Sequence, residues 1–146
     1  MNFVKAFFRL LLGLFMTYAG IGHLTISRLE FVAQVPTWLQ FSPEFTDFVV
    51  LASGVVEIAL GLGMLLLWKH KAVVGALLAL FYVAIFPGNI NQYVNHISAF
   101  GLDTDQARLI RLFFQPVLIL WALWTTGGWR LLKMWWNLCF GRKSNE

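Results

Sequence analysis

Long apolar stretches alternate with short polar ones along the chain, and four of these stretches approach the length of a membrane span. About 20 consecutive apolar residues are needed for a helix to cross the hydrocarbon core of a bilayer. The stretches at 7–24, 48–68, 72–90 and 112–129 come close to this length. We therefore predict an all-α integral membrane protein, a four-helix bundle formed by a single domain at residues 1–129.

Two connectors, at 25–47 and 91–111, mix polar with aromatic residues and predict short surface helices. The segment FVAQVPTWLQF at 31–41 fits an interfacial lid over the bundle, although an aromatic belt at the membrane surface has the same composition. The tail at 130–146 carries basic and aromatic residues at helical spacing, which predicts a cytoplasmic amphipathic surface helix. A straight continuation of the fourth span is the alternative.

The composition supports a membrane location. Hydrophobic residues make up 59% of the 146 residues and charged residues 12%, whereas soluble domains carry about 25% charged residues. A chain of this size cannot bury so much apolar surface within itself in water. A cleaved signal peptide is the alternative for segment 7–24, but the apolar run continues past any cleavage point and carries His23.

Basic residues orient the predicted bundle, because lysine and arginine accumulate on the cytoplasmic side. Three of the eleven basic residues fall in or next to the two connectors, and eight lie near the termini and the 69–71 turn. Both termini are therefore predicted to be cytoplasmic, with the two connectors outside. The eight residues are Lys5, Arg9, Lys69, Lys71, Arg130, Lys133, Arg142 and Lys143.

Polar groups recur at similar depths in the four predicted spans. Counting 1.5 Å per residue from the nearest cytoplasmic charge places Glu57 at about 18 Å, His23 at about 21 Å and Gln115 at about 22 Å. Tyr82 comes out at about 16 Å. Each span thus contributes a polar group to the outer half of the bundle, which predicts a polar pocket there. Asn89 and Arg111 fall nearer the outer surface, at about 27 and 28 Å.

Glu57 is the strongest lead on function. Ser53, Glu57 and Gly61 are spaced i, i+4, i+8, so the acid shares a face with small residues that favour helix contact. An ionised acid near the bilayer centre costs about 2.5–3.5 kcal/mol on insertion scales. Two interpretations remain open, a structural hydrogen-bond cluster and a ligand or proton site. The catalytic role is unknown, with Glu57 as its only candidate.

The predicted ligand-binding set joins all four spans and contains no metal site. His70 lies at the opposite membrane face from His23 and His96, and the single cysteine, Cys139, excludes an intrachain disulfide. The predicted ligand-binding residues are His23, Ser53, Glu57, Tyr82, Asn89, Arg111 and Gln115.

Around these residues the sequence resembles the DoxX family of small four-helix membrane proteins. The matching pieces are AGIGHL (19–24), VP (35–36), SGVVEIALGLGMLL (53–66), FPGNI (86–90) and IRLFFQPVLILWA (110–122). Leu24, Gly88 and Phe113 depart from the family pattern, but none of them removes a polar group. The resemblance implies a multi-pass protein of the bacterial inner membrane. It also implies links to quinone-coupled redox complexes, without fixing an activity.

Three functions are compatible with the pattern. A binding protein would hold a lipid, a small amphiphile or a partner protein in the pocket. A quinone-binding subunit of a membrane redox complex would use His23, Glu57 and Gln115 as hydrogen-bonding groups and would need a redox partner protein. A small proton-coupled transporter is the third. The first is favoured, and the chain by itself is not expected to be an enzyme. The lipid bilayer is the expected partner, nucleic acid is not, and a homo-oligomer is left open.

Overall fold

A computed structural model of the protein describes residues 2–141, and within them all regular structure is helical. Four helices are long and apolar enough to cross a membrane, as the sequence predicts. Two shorter α-helices and one 3-10 turn, at Thr37–Leu39, complete the described part. The helices are α1 (Phe3–Leu24), α2 (Arg28–Gln34), α3 (Pro43–Leu66), α4 (Lys71–Val94), α5 (Asp105–Thr126) and α6 (Gly128–Phe140).

Three of the long helices begin earlier than their apolar stretches do, because a polar residue caps each of them. The Ser42 hydroxyl accepts from the backbone N–H of Phe45 at 3.1 Å, and the Thr104 hydroxyl accepts from Ala107 at 3.2 Å. Asn2 caps α1 in the same way. Side chains that satisfy free N–H groups in the first turn favour helix initiation. α3 and α5 therefore extend beyond the predicted spans into the two long connectors.

The tail begins with a separate helix. Gly127 has φ +75°, a left-handed conformation that ends α5 at Thr126, and α6 then runs from Gly128 to Phe140. Glycine adopts this conformation without the steric cost that a Cβ would bring. The alternative of a straight continuation of the fourth span is therefore wrong. Arg142 and Lys143, which the predicted orientation counts, lie outside the described residues.

The bundle consists of two helix pairs, α1 with α3 and α4 with α5. Glycines allow the first pair to pack closely, since a Cβ on Gly20 would lie 2.8 Å from the carbonyl oxygen of Gly54. A Cβ on Gly54 would in turn lie 2.6 Å from Cβ of His23. Small residues at such contacts are the usual means of helix association in lipid. The contact holds His23 against α3.

The half of the bundle that contains the start of α1 and the end of α5 is filled mostly with apolar side chains, although Arg9, Thr125 and Thr126 are also buried there. Leu12, Met64, Leu78 and Ala122 are fully buried there, and together they join all four long helices. Outward-facing side chains are also mostly apolar. In the 18-residue apolar stretch of each long helix, only 28% to 39% is buried inside the protein. A helix bundle that is apolar both inside and outside is typical of a protein solvated by lipid.

Candidate functional site

A cavity of about 530 Å³ opens at the other half of the bundle, between the four long helices and beneath α2. All seven residues predicted for the ligand-binding set line this cavity. Five of them are buried, while Ser53 and Arg111 are partly exposed. The side chains that the sequence-based depth estimate groups together thus line one cavity, which leaves their role in ligand binding a prediction.

His23 and Glu57 form one side of the cavity, an imidazole beside a carboxyl group. His23 Nε2 lies 3.1 Å from Glu57 Oε2, and the two residues are only 7% and 5% exposed. The two atoms are misaligned for a good hydrogen bond and have no other partner among residues 2–141. Close packing of α1 on α3 therefore leaves an imidazole and a carboxyl with unused hydrogen-bonding capacity at the cavity.

The other ring nitrogen of His23 fixes the tautomer. Nδ1 lies 3.2 Å from the carbonyl oxygen of Val50 and 3.1 Å from the hydroxyl of Ser53. The Ser53 hydroxyl itself donates to the same carbonyl at 2.8 Å. A carbonyl can only accept, so we assign a proton to Nδ1. In a neutral His23 with this tautomer, Nε2 is an acceptor that faces the Glu57 carboxyl.

Gln115, Asn89 and Tyr82 form an amide network on the opposite helix pair. The Asn89 amide donates to Gln115 Oε1 at 2.9 Å, and the Gln115 amide donates to the backbone carbonyl of Tyr82 at 2.8 Å. The Tyr82 hydroxyl donates to the sulfur of Met16 at 2.8 Å. Gln115 lies at a depth similar to that of Glu57, but its hydrogen bonds go to α4, the helix against which α5 packs.

Arg111 supplies a positive charge to the wall of the cavity. Its Nε donates to Asn89 Oδ1 over a long 3.4 Å, and the guanidinium lies 5.1 Å from the centre of the Phe100 ring. Among residues 2–141 no carboxylate pairs with it. Arg108, one turn earlier, is instead tied to the loop before α5, donating to the carbonyl of Ile97 at 3.1 Å and to Asp105 at 2.6 Å. Arg111, rather than Arg108, therefore contributes a positive charge to the cavity.

The α2 segment covers the cavity as a lid. The Phe31 ring stacks on His23 with 3.3 Å between ring centroids, and Val35 and Trp38 add apolar surface to the cavity wall. The Gln34 amide donates to Gln92 Oε1 at 2.6 Å, which ties α2 to α4. The predicted lid at 31–41 therefore lies over the pocket.

A second connection joins the lid to α3. Arg28 pairs with Asp47, its Nε donating to Asp47 Oδ1 at 2.7 Å. Hydrogen bonding to the Asp47 carboxylate raises the pKa of Arg28 above its ordinary value. Helix α2, the first part of the lid, is thus held by a polar contact at each of its ends, Arg28 and Gln34.

Sequence reasoning missed two contributors to this region, Phe100 and the Gln34–Gln92 contact. Gln92 follows Asn89 by three residues and shares its helix face, which is the signal that marks it. Phe100 gives no such signal, because it lies in the irregular loop between α4 and α5 with φ +56°. His96, which continues the same spacing, lies beyond the end of α4, is exposed and pairs with Asp105 at 2.7 Å.

Among residues 2–141, no group of three histidine, cysteine, aspartate or glutamate side chains could hold a metal ion. The polar groups of the cavity are suited to hydrogen bonding and proton exchange, and its walls are mostly apolar. Apolar walls with a few convergent polar groups are characteristic of small-molecule sites.

The fold and the cavity define a class of protein, a small all-helical chain with four membrane-length helices around a polar cavity. The chain belongs to the family described as a domain of unknown function (DUF8561), whose sequence model matches residues 12–126. That range runs from α1 to the end of α5 and includes every residue of the predicted ligand-binding set. None of the curated proteins and none of the solved structures matches the chain.

Proposed function

We propose that this protein is a multi-pass membrane protein that binds a small, largely apolar molecule bearing a polar group in the cavity beneath α2. In this proposal it resides in the bacterial inner membrane with both termini in the cytoplasm, as its basic residues and its resemblance to the DoxX family favour. The protein acts as a binding protein rather than as an enzyme. The ligand is a lipid or a similar amphiphile.

The cavity geometry is the observation that carries the proposal. Its volume of about 530 Å³ lies within the roughly 300–1,000 Å³ that is usual for small-molecule sites. The polar groups lie on two sides, with His23 and Glu57 on one helix pair and Arg111 on the other. Val50, Phe114 and Leu118 are among the apolar residues that line the remainder. An amphiphile can place its polar group between the charged walls and its apolar part against these side chains.

The packed half of the bundle argues against a transport path. Four fully buried apolar side chains lie between the cavity and the end of the bundle where α1 begins and α5 ends. They are Leu12, Met64, Leu78 and Ala122. A solute leaving the cavity in that direction would have to displace several close-packed side chains. Binding without passage through the bundle therefore agrees better with this packing.

A quinone is the second candidate ligand, and one observation favours it. Phe31 already stacks on His23 beside Glu57, so an aromatic ring could replace Phe31 there while a hydrogen-bonding and proton-exchanging group faces its edge. Arg111 would face a second ring oxygen from the opposite wall. In this case the protein serves as the quinone-binding subunit of a redox complex and requires a redox partner protein.

Co-purification tests both candidates. The protein would be purified in mild detergent, and bound small molecules would be identified by mass spectrometry and by visible and ultraviolet absorption. We expect a lipid or amphiphile at stoichiometric amounts in the wild type, and a quinone under the second candidate. Glu57→Gln and Arg111→Gln should each lose most of the ligand.

Matched variants separate the cavity from general charge effects. Glu30→Gln and Lys133→Gln make the same kinds of change at exposed positions away from the cavity, and they should retain the ligand. If all four variants retain the same molecules as the wild type, the cavity is not the binding site and the proposal fails.

A further inference from the structure

A second cavity, of about 820 Å³, lies at the opposite end of the bundle, where the start of α1 and the junction of α5 and α6 meet the start of α4. It is lined by the starts of three helices, α1, α4 and α6, and by the end of α5 from Leu123 to Gly127. Three basic side chains, Lys5, Lys71 and Arg130, face it together with the aromatic residues Trp124 and Trp129. This cavity shares no lining residue with the cavity beneath α2.

The charge of this second cavity is of one sign. No aspartate or glutamate among residues 2–141 lines it. The carboxylates in that range that form ion pairs, Glu57, Asp47 and Asp105, pair with residues of the opposite half. Neither Lys5 nor Arg130 has a carboxylate partner within the described part of the chain. Lys5 and Arg130 are thus two like charges at one cavity, and an anion bound there would offset their repulsion.

Local structure directs these charges into the cavity. The Lys5 ammonium lies 5.7 Å from the centre of the Trp124 ring, which itself lines the cavity. Arg130 lies in the first turn of α6, and neither α4 nor α6 has a side-chain hydrogen bond at its N-cap. Helix starts carry a partial positive charge, but the end of α5 brings a partial negative charge to the same cavity. The basic side chains, rather than the backbone, therefore favour an anion here.

The position of the cavity identifies the kind of anion. The start of a membrane-length helix and a flanking tryptophan mark the headgroup level of a bilayer. α6 is an amphipathic helix with exposed Trp129, Trp136 and Phe140, as expected for a helix that lies at that level. Basic pockets between helices on the cytoplasmic side are suited to phosphate groups of anionic lipids.

We infer that the cavity formed by Lys5, Lys71 and Arg130 at the starts of α1, α4 and α6 binds the phosphate of an anionic lipid headgroup. The inference rests on the membrane placement proposed above but not on any ligand of the cavity beneath α2. Bound lipid would hold the start of α6 against the starts of α1 and α4. It would thereby anchor the terminal helix to the bundle.

Lipid-dependent binding tests the inference in nanodiscs. Wild-type protein would be placed in phosphatidylcholine, with or without phosphatidylglycerol, and retention of the anionic lipid measured by native mass spectrometry. We expect selective retention of phosphatidylglycerol. Lys5→Gln/Arg130→Gln should weaken retention by about fivefold for each cation removed. Arg130→Gln alone, at an exposed position, keeps the test valid if the double variant does not fold.

Lys69→Gln/Lys133→Gln is the matched control, because it removes the same net charge from exposed positions that do not line the cavity. This variant should retain phosphatidylglycerol as the wild type does. An equal loss in both double variants would show diffuse surface charge instead of a site, and would overturn the inference. So would a wild type without lipid preference.

Inorganic phosphate, added to the wild type in phosphatidylcholine discs without and with phosphatidylglycerol, distinguishes the source of the phosphate. If the lipid is the ligand, free phosphate should neither stabilise the protein nor compete with phosphatidylglycerol. Competition by free phosphate at equal concentration would overturn the lipid assignment. Failure of the protein to enter nanodiscs would contradict the membrane placement itself, which separates that failure from failure of this site.

Discussion

At the scale of single residues, the central feature is a histidine and a glutamate that share a buried environment. His23 Nε2 and Glu57 Oε2 lie 3.1 Å apart, so each residue is the nearest polar neighbour of the other's unsatisfied atom. A buried polar group that loses its partner costs about 1–3 kcal/mol, whereas removing both partners costs much less than the sum. The pair is therefore expected to behave as a single unit.

A double-mutant cycle tests this coupling. His23→Gln and Glu57→Gln should each lower the free energy of unfolding by about 1–3 kcal/mol. The double variant should lose less than the sum, with a coupling of about 0.5–3 kcal/mol. Thermal unfolding in detergent provides the measurement. A control cycle of Glu30→Gln with His96→Gln, both exposed, should be additive, and additivity in the His23–Glu57 cycle would contradict direct coupling.

Sequence reasoning reached the members of the site but not their pairing. Counting along each helix gives the depth and face of His23, Glu57 and Gln115, because the rise and turn of an α-helix are fixed. It does not give the rotation of one helix relative to another, and that rotation pairs Gln115 with Asn89 and leaves Arg111 apart from Glu57. The count also assumed a surface position for Arg9, which is fully buried with its guanidinium 4.3 Å from the Trp68 ring centre.

At the scale of helices, the contact between α1 and α3 determines the shape of the site. Gly20 and Gly54 face each other so closely that neither position has room for a Cβ. Separation of these helices would move His23 away from Glu57. Small residues around Glu57 predict that this face of α3 contacts another helix. They do not identify α1 as that helix.

Two alanine substitutions on one helix test this packing. Gly20→Ala places a methyl group 2.8 Å from the Gly54 carbonyl oxygen and 2.9 Å from the Ile58 backbone nitrogen, neither of which can move alone. We expect a loss of about 1–3 kcal/mol in unfolding free energy, as in other overpacked sites. Gly22→Ala is the matched control, because its nearest neighbours lie at an ordinary 3.7 Å. Equal stability of the two variants would refute the close contact.

Helix ends were less predictable than helix existence. Hydropathy marks where a chain enters lipid, but α3 and α5 begin at capping residues, Ser42 and Thr104, outside the apolar stretches. The break at Gly127 depends on one left-handed residue. At Ser42 and Thr104 a local hydrogen bond determines where the helix begins, and at Gly127 the backbone conformation determines where the helix ends. Hydrophobicity determines neither.

At the scale of the whole molecule, the two ends of the bundle differ in chemistry. One end carries basic side chains, of which Lys5 and Arg130 have no carboxylate partner within residues 2–141. The other end carries polar contacts between the lid, the loop before α5 and the long helices. The positive-inside rule predicts that the basic end faces the cytoplasm. The single exposed cysteine, Cys139, lies on α6 at this end and provides a native probe of orientation.

Thiol labelling tests the orientation. In intact bacterial cells, a membrane-impermeant maleimide should not label Cys139, and labelling should appear after the membrane is opened. In a Cys139→Ser background, Gln106→Cys at the exposed start of α5 should be labelled in intact cells. The reverse pattern would invert the predicted topology, and labelling of both positions from outside would contradict a bilayer-spanning arrangement.

The walls of the cavity beneath α2 include strongly exposed apolar side chains, Tyr18 at 71%, Ile26 at 88% and Trp38 at 66%. In the proposed placement these side chains border acyl chains, so a ligand arrives sideways after dissolving in the bilayer. Occupancy is then set by the mole fraction of ligand among lipids. A titration reported per litre of buffer would shift its midpoint whenever the amount of lipid is changed, although the site itself is unaltered.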